Sequence, residues 1–207
     1  MFDFEELSRY QVVPVIAIDD IAHALPLADA LIGGGLPIAE ITFRSPVAAE
    51  VIRILTRERP QMLVGAGTVL TAEALDLAQA NGAAFGVAPG LNPRVVAHAR
   101  AAGFPFMPGV ATPSDIEGGL AAGCRFLKFF PAEALGGAPM LSALGGPYLH
   151  MGVRFMPTGG LSAATVGGYL ALKTVVAVGG TWIAKKEDIA AGRWDTITAN
   201  CRAAVVP

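Results

Sequence analysis

Eight short apolar runs recur along the chain at intervals of 20 to 28 residues, beginning near Val12, Ile38, Leu63, Ala84, Pro105, Arg125, Val153 and Val175. Ala- and Leu-rich stretches of helical character separate them. Strands linked through helices run parallel and bury both faces. This spacing therefore predicts an α/β fold with a parallel sheet. Eight units within 207 residues predict a (β/α)8 TIM barrel near the small end of that fold's range, as one domain spanning 1–207 with a short N-terminal helix. An open doubly wound sheet is the alternative, but no G-x-G-x-x-G fingerprint follows the first apolar run.

The stretches between the runs carry helix-start chemistry. Ser45-Pro46, Asn92-Pro93 and Thr112-Pro113 each pair a capping residue with a proline suited to the first helical position. Thr71 and Ser162 supply two further caps, and Gly82, Gly103 and Gly123 stand where helices are expected to stop. The Phe-rich beginning (Phe2, Phe4, Leu7) reads either as a plug at the barrel bottom or as a subunit contact.

Composition narrows the class. Fifteen Lys and Arg nearly balance seventeen Asp and Glu, so no net field draws the chain to nucleic acid or to an anionic membrane. Although 53% of residues are hydrophobic, Gly, Pro or charge interrupts every apolar run before the ~20 residues of a membrane span. The beginning is acidic where a signal peptide is basic, so a cytoplasmic location is expected. Cys124 and Cys201 form no disulfide framework, and His23, His98 and His150 lack ligand spacing, so no metal is expected. His98 and Cys124 read as core or surface fillers.

In a barrel, chemistry belongs at the C-terminal ends of the strands, with phosphate after the seventh and eighth. Polar residues inside apolar strands are then the informative ones. Lys128 lies within Arg-Phe-Leu-Lys-Phe-Phe-Pro, where alternation groups it with Phe126 and Phe130 and turns Leu127 and Phe129 toward the helices. Burial disfavours an ammonium, and a lysine available as the free amine attacks carbonyls. The structural alternative is a lysine that pairs with a carboxylate or reaches out to the rim. The other three lysines, Lys173, Lys185 and Lys186, read as solvated surface residues.

The second run supplies a carboxylate. Alternation puts Glu40, Thr42 and Arg44 on one face, with Glu40 and Arg44 about 13 Å apart along an extended strand. An interior Glu suits a general base, and a rim Arg suits capture of a substrate carboxylate. A buried Glu40–Lys128 network is the structural reading, and it is compatible with the catalytic one. The third run ends Gly65-Ala66-Gly67-Thr68, which offers room and a hydroxyl. The seventh ends Pro157-Thr158-Gly159-Gly160 and the eighth Gly179-Gly180-Thr181. Two Gly-Gly turns at neighbouring strand ends let backbone N–H groups approach an anion, and a short helix behind Thr181 would add its dipole. Glu133 reads as a solvated loop charge.

With Pro14-Val15-Ile16, Pro89-Gly90-Leu91, Lys128-Phe129-Phe130-Pro131-Ala132-Glu133 and Gly179-Gly180-Thr181-Trp182 in order, and the Glu40, Gly65 and Pro157 stretches among them, the chain resembles a known family. This is the 2-keto-3-deoxy-6-phosphogluconate / 4-hydroxy-2-oxoglutarate (KDPG/KHG) aldolases. The resemblance implies a metal-free class I aldolase of the Entner–Doudoroff route, a homotrimer that splits a phosphorylated keto acid into pyruvate and glyceraldehyde 3-phosphate. It makes Lys128 the imine-forming residue and Glu40 the acid–base. Arg44, Thr68 and Pro89 become substrate-binding positions, Phe130 the aromatic that tunes the lysine, and Thr158 a stereochemical determinant. Gly159, Gly160, Gly179, Gly180 and Thr181 hold the phosphate. Thr181 stands where members of the family often carry Ser, and both offer a hydroxyl. Two rivals from other classes remain. One is a phosphosugar isomerase or synthase that works without covalent attachment, which has no use for a lysine between phenylalanines. The other is a phosphosugar-binding module, which has no need of Glu40.

Overall fold

The computed structural model describes residues 2–204. Met1 and residues 205–207, the ends of the expected domain, lie outside the described residues. Among the described residues there are nine strands: β1 (Val12–Ile16), β2 (Ile38–Thr42), β3 (Leu63–Gly67), β4 (Phe85–Val87), β5 (Phe106–Met107), β6 (Gly109–Val110), β7 (Phe126–Phe129), β8 (Arg154–Pro157) and β9 (Val178–Gly180). The α-helices are α1 (Ala24–Gly33), α2 (Ala48–Glu58), α3 (Ala72–Ala80), α4 (Pro93–Ala101), α5 (Pro113–Ala121), α6 (Gly137–Gly145), α7 (Val166–Leu170), α8 (Lys186–Ala190) and α9 (Trp194–Ala204).

Every strand pairing is parallel, in two curled sheets ordered β5-β4-β3-β2-β1-β9 and β6-β7-β8. Bridges from Phe155 to Val175 and from Thr158 to Gly179 link β8 to the neighbourhood of β9. At the other junction the run from Pro105, expected as one strand, is two short ones separated by Pro108. Proline has no N–H to give a ladder. The Pro108 carbonyl still accepts from Lys128 N at 2.9 Å, so the break keeps its contact with β7.

Local signals account for most helix boundaries. Asn92 caps α4 by accepting from Arg94 N, and Thr71 caps α3 through Ala74 N. Thr112 and Asp115 form a reciprocal capping box on α5. Gly82, Gly103 and Gly123 follow helices with φ of +90°, +63° and +86°. Three expectations fail. Ser45 does not cap α2, because its hydroxyl donates to the Ile18 carbonyl at 2.6 Å and the helix begins later. Ser162 does not cap α7; its backbone N–H donates to Thr165 Oγ1. No helix begins directly behind Thr181, where four bent residues precede Lys185, and α8 has five residues.

Inside and outside of the sheet are packed separately. Leu127 is fully buried and stands over Gly119 of α5, as alternation predicts. At the other end of the strands, a 3-10 helix at Phe4–Arg9 closes the base. Phe2 stacks on Phe85 at 5.0 Å, and Phe4 lies 5.4 Å from Phe126, both partners being first residues of their strands. Arg154, which opens β8, pairs with Glu5 at 2.8 Å. The Phe-rich segment is therefore the plug. Among the described residues no helix is long and apolar enough to cross a membrane.

Helix α9 lies along α1, where Cys201 occupies the space a side chain on Gly34 would need. Burial pushes the Cys201 thiol up to about 12. A thiol kept protonated when folded holds a proton that the unfolded chain releases above about pH 9, so its contribution is complete below that pH and is lost toward about 12. The Tyr169 phenol, raised by burial and by its bond to Glu133, acts in the same sense. We expect urea unfolding free energies to decline across this alkaline window, and Cys201→Ala to make the decline shallower. Equal slopes in the two proteins would rule the linkage out.

Candidate active site

Glu40 and Lys128 belong to different sheets and are 88 positions apart, yet they meet inside the molecule. Lys128 Nζ donates to Glu40 Oε1 at 3.0 Å and to Oε2 at 3.3 Å. Glu40 is 0% exposed and Lys128 5%. Strand register sets the depth of each: Glu40 lies between Val15 and Gly65, and Lys128 between Gly109 and Met156. Desolvating two charges is costly, and the attraction repays it only where the geometry is good.

Small residues clear the space. A side chain on Gly67 would overlap the Glu40 carboxylate, and one on Gly65 the ring of Phe85. Gly109, beside Lys128 in register, lets the Pro89 carbonyl approach the strand. Pro89 is thereby placed one element away from the amine. Phe130 covers the lysine from the other side, its ring centroid 5.9 Å from Nζ, within reach of a cation–π contact. The same ring packs against Gly159. Thr68 follows Gly67 at φ +56°, a left-handed conformation that a β-branched residue adopts only under constraint.

The rim departs from simple alternation. Strand β2 ends at Thr42, and the chain then turns, with Arg44 N donating to the Thr42 carbonyl at 2.8 Å. Arg44 Nε donates to Thr42 Oγ1 at 3.2 Å, and Thr42 in turn donates to the Ile16 carbonyl. Among the described residues Arg44 has no carboxylate partner. Its exposed guanidinium borders a cavity of about 520 Å³ that Leu161 and Thr181 also line. Val15 lies on the wall of this cavity and is the register partner of Glu40.

Leu161 and Thr181, which directly follow the two glycine turns, place the turns next to that cavity. Gly159 and Gly160 have φ of +103° and +82°, conformations suited to glycine. Among the described residues, the backbone N–H groups of Gly160 and Thr181 make no bond to a backbone carbonyl of the loops and turns, while Gly159 is engaged by the bridge between Thr158 and Gly179. Gly179 leaves room for Thr158 Oγ1, and Gly180 for the Trp182 ring. Thr158 is buried, and its hydroxyl lies 3.4 Å from the Met156 carbonyl.

Two features escaped the sequence reading. Glu133 is not a solvated loop charge: it accepts from the buried Tyr169 hydroxyl at 2.6 Å and packs against Gly160. Nothing in the local sequence marks Tyr169 as its partner, 36 positions on. Lys185 and Lys186 line the same cavity as Arg44 and Thr181. Their place just after the eighth apolar run was the available signal. Among the described residues no group of three or more His, Cys, Asp or Glu side chains is placed to hold a metal.

A buried amine held against a carboxylate, with a cavity bordered by a free guanidinium at the strand ends, suits an enzyme acting on anionic carbonyl compounds. Comparison with known proteins narrows this class to a family. The chain belongs to the KDPG and KHG aldolases, whose family model matches residues 4–200. It is 48% identical over 196 residues to the 2-dehydro-3-deoxy-phosphogluconate aldolase of Treponema pallidum, covering 95% of this chain and 92% of that protein. Its fold superposes with a TM-score of 0.94 on the KDPG aldolase of Legionella pneumophila, solved with pyruvate captured at low pH as a covalent carbinolamine intermediate. That pair shares 38% identity over 99% of both chains. The Zymomonas mobilis enzyme, solved with 3-phosphoglycerate, gives a TM-score of 0.88 at 42% identity, covering 98% of this chain and 94% of that one.

Removing one partner of the buried pair strands the other. Glu40→Leu is expected to lower the unfolding free energy by about 3–5 kcal/mol, and adding Lys128→Met to recover most of it. Denaturant titration of the two variants and of Lys128→Met alone completes the cycle. Additive losses would show that the residues do not act as a pair.

Proposed function

We propose that this protein is a class I aldolase that cleaves 2-dehydro-3-deoxy-6-phosphogluconate to pyruvate and glyceraldehyde 3-phosphate, and that it also acts on 4-hydroxy-2-oxoglutarate. The observation that carries this reading is the Lys128–Glu40 pair, buried at 3.0 Å in a chain of this family. The covalent pyruvate adduct in the Legionella relative and the phosphorylated acid in the Zymomonas relative support it.

The chemistry then uses the residues in place. Lys128 passes a proton to Glu40, and the free amine attacks the C2 ketone. Glu40 returns the proton to the carbonyl oxygen, and water leaves to give an iminium. The C3–C4 bond breaks as Glu40 takes the proton of the C4 hydroxyl, directly or through one water. The bonding pair moves into the iminium and forms an enamine, and the aldehyde departs. Glu40 then protonates the enamine carbon that becomes the methyl group, and hydrolysis frees pyruvate and Lys128. No metal or cofactor is required for these steps. Phe130 tunes the amine, and Thr68 and Pro89 border the pyruvate portion. Arg44, having no carboxylate of its own, is suited to the substrate's. Thr158, beside the strand end, faces the carbinol carbon. Gly159, Gly160, Gly179, Gly180 and Thr181 supply the phosphate cradle, supported by the N–H groups of Gly160 and Thr181, which bond no loop or turn carbonyl among the described residues. Holding both substrate ends aligns the carbonyl with the amine.

The proposal includes a closed (β/α)8 barrel as a single domain, favoured by the parallel strands and by the bridges between β8 and the β9 region. It also includes a homotrimer. Exposed Met140, Leu149 and Met151 gather between residues 140 and 151, an apolar surface of the kind a subunit contact covers. A cytoplasmic place in the Entner–Doudoroff route accords with two unpaired thiols.

Borohydride reduction in the presence of pyruvate, followed by peptide mass mapping, tests the mechanism. A reduced adduct on Lys128 is expected, and Lys128→Arg is expected to lose both adduct and turnover. Folded protein that gives no adduct in excess pyruvate would overturn the aldolase reading. Thr181→Ala is expected to raise KM for the phosphorylated substrate with kcat little changed. A loss in kcat alone would place Thr181 outside the phosphate cradle.

A further inference from the structure

We propose that Lys185 is a specificity-determining residue, whose ammonium supplies a charge to the phosphate end of the substrate and so favours phosphorylated over unphosphorylated keto acids. The inference rests on the reading of the two glycine turns as the phosphate cradle.

Those turns offer backbone N–H groups and a threonine hydroxyl, all neutral donors, whereas a phosphate ester carries up to two negative charges. Neutral donors fix its position, and a cation adds the selective attraction. The cavity flanked by the turns holds three cationic side chains, those of Arg44, Lys185 and Lys186. Arg44 follows β2 and is bonded to Thr42, and the proposed function assigns it to the carboxylate end. Lys186 already has a counterion, Asp19 Oδ2 at 2.6 Å. Lys185 makes no ion pair among the described residues. The cavity wall contains one carboxylate, Glu187, whose charge is set against two unpaired cations.

The backbone beneath Lys185 is anchored. Ile183 and Ala184 are buried, and Asn200 of α9 donates to the carbonyls of Trp182 and Ile183 at 3.4 and 3.1 Å. Lys185 is thus four residues from Thr181 on a fixed segment. Its own exposure makes substitution structurally inexpensive.

The test is the ratio of kcat/KM for 2-dehydro-3-deoxy-6-phosphogluconate to that for 4-hydroxy-2-oxoglutarate. In Lys185→Gln the ratio is expected to fall about fivefold, the scale of one exposed ion pair, through KM for the phosphorylated substrate. Lys185→Arg, which keeps the charge, is expected to restore it, and the difference between the two variants is expected to shrink as salt rises. An unchanged ratio in Lys185→Gln, while Thr181→Ala still raises KM, would overturn the role of Lys185 and leave the cradle standing. Wild-type protein with no preference for the phosphorylated substrate would overturn the cradle itself, and the inference with it.

Discussion

The contact between Lys128 and Glu40 is the constraint to which the interior is fitted. Two charged groups from separate sheets are removed from water, and among the described residues neither has a second charged partner. Either alone would be intolerable at that depth. Their meeting fixes how the six-stranded and three-stranded sheets face each other, because both strands must present these residues inward at matching heights. The glycines of β3 and β6 follow from this. Gly67 yields its volume to the Glu40 carboxylate, and Gly109 brings the Pro89 carbonyl close to the strand that pairs with β7. Strands this poor in side-chain volume contribute little packing, and the deficit is met from below. Phe2, Phe4, Phe85 and Phe126 fill the base with edge and stacked contacts.

A reactive amine must be dry enough to be available yet open to substrate, and the layering separates these demands. Val15, the register neighbour of Glu40, forms part of the wall of the cavity at the strand ends. Phe130 touches both levels, covering the amine and packing against Gly159. Below the cavity, positions are set by strand register. Above it, they are set by turns.

That division explains what the sequence revealed. Alternation identified Lys128 and Glu40 because both lie within strands, where a period of two fixes the face without knowledge of neighbours. Capping chemistry identified α3, α4 and α5 for the same local reason. Arg44 was expected at the rim on an extended strand; it borders the rim cavity, but a turn carries it there, because β2 stops two residues earlier and Thr42 bonds across to Ile16. Ser45 and Ser162 carry sequences that suit caps, but one hydroxyl is taken by Ile18 and the other residue's N–H by Thr165. The break at Pro108 was written in the sequence and could have been read from the missing donor. The Glu133–Tyr169 bond was not legible, since it joins residues 36 positions apart with no local signal, whereas the place of Lys185 just after the eighth apolar run was a signal that went unread.

The depth at which a residue sits also decides how freely it can change. On the proposed mechanism, a substitution at Glu40 or Lys128 alters chemistry and stability together, because the same contact serves both. At the rim the two are separable. Lys185 is exposed, its charge contributes nothing to the buried core, and the backbone that carries it is held by Asn200 rather than by the lysine side chain. Selection for one anionic substrate over another can therefore act on the rim while the buried ion pair stays fixed. A single interior of this design is thus compatible with a range of keto acids that share the carbonyl and carboxylate and differ at the far end.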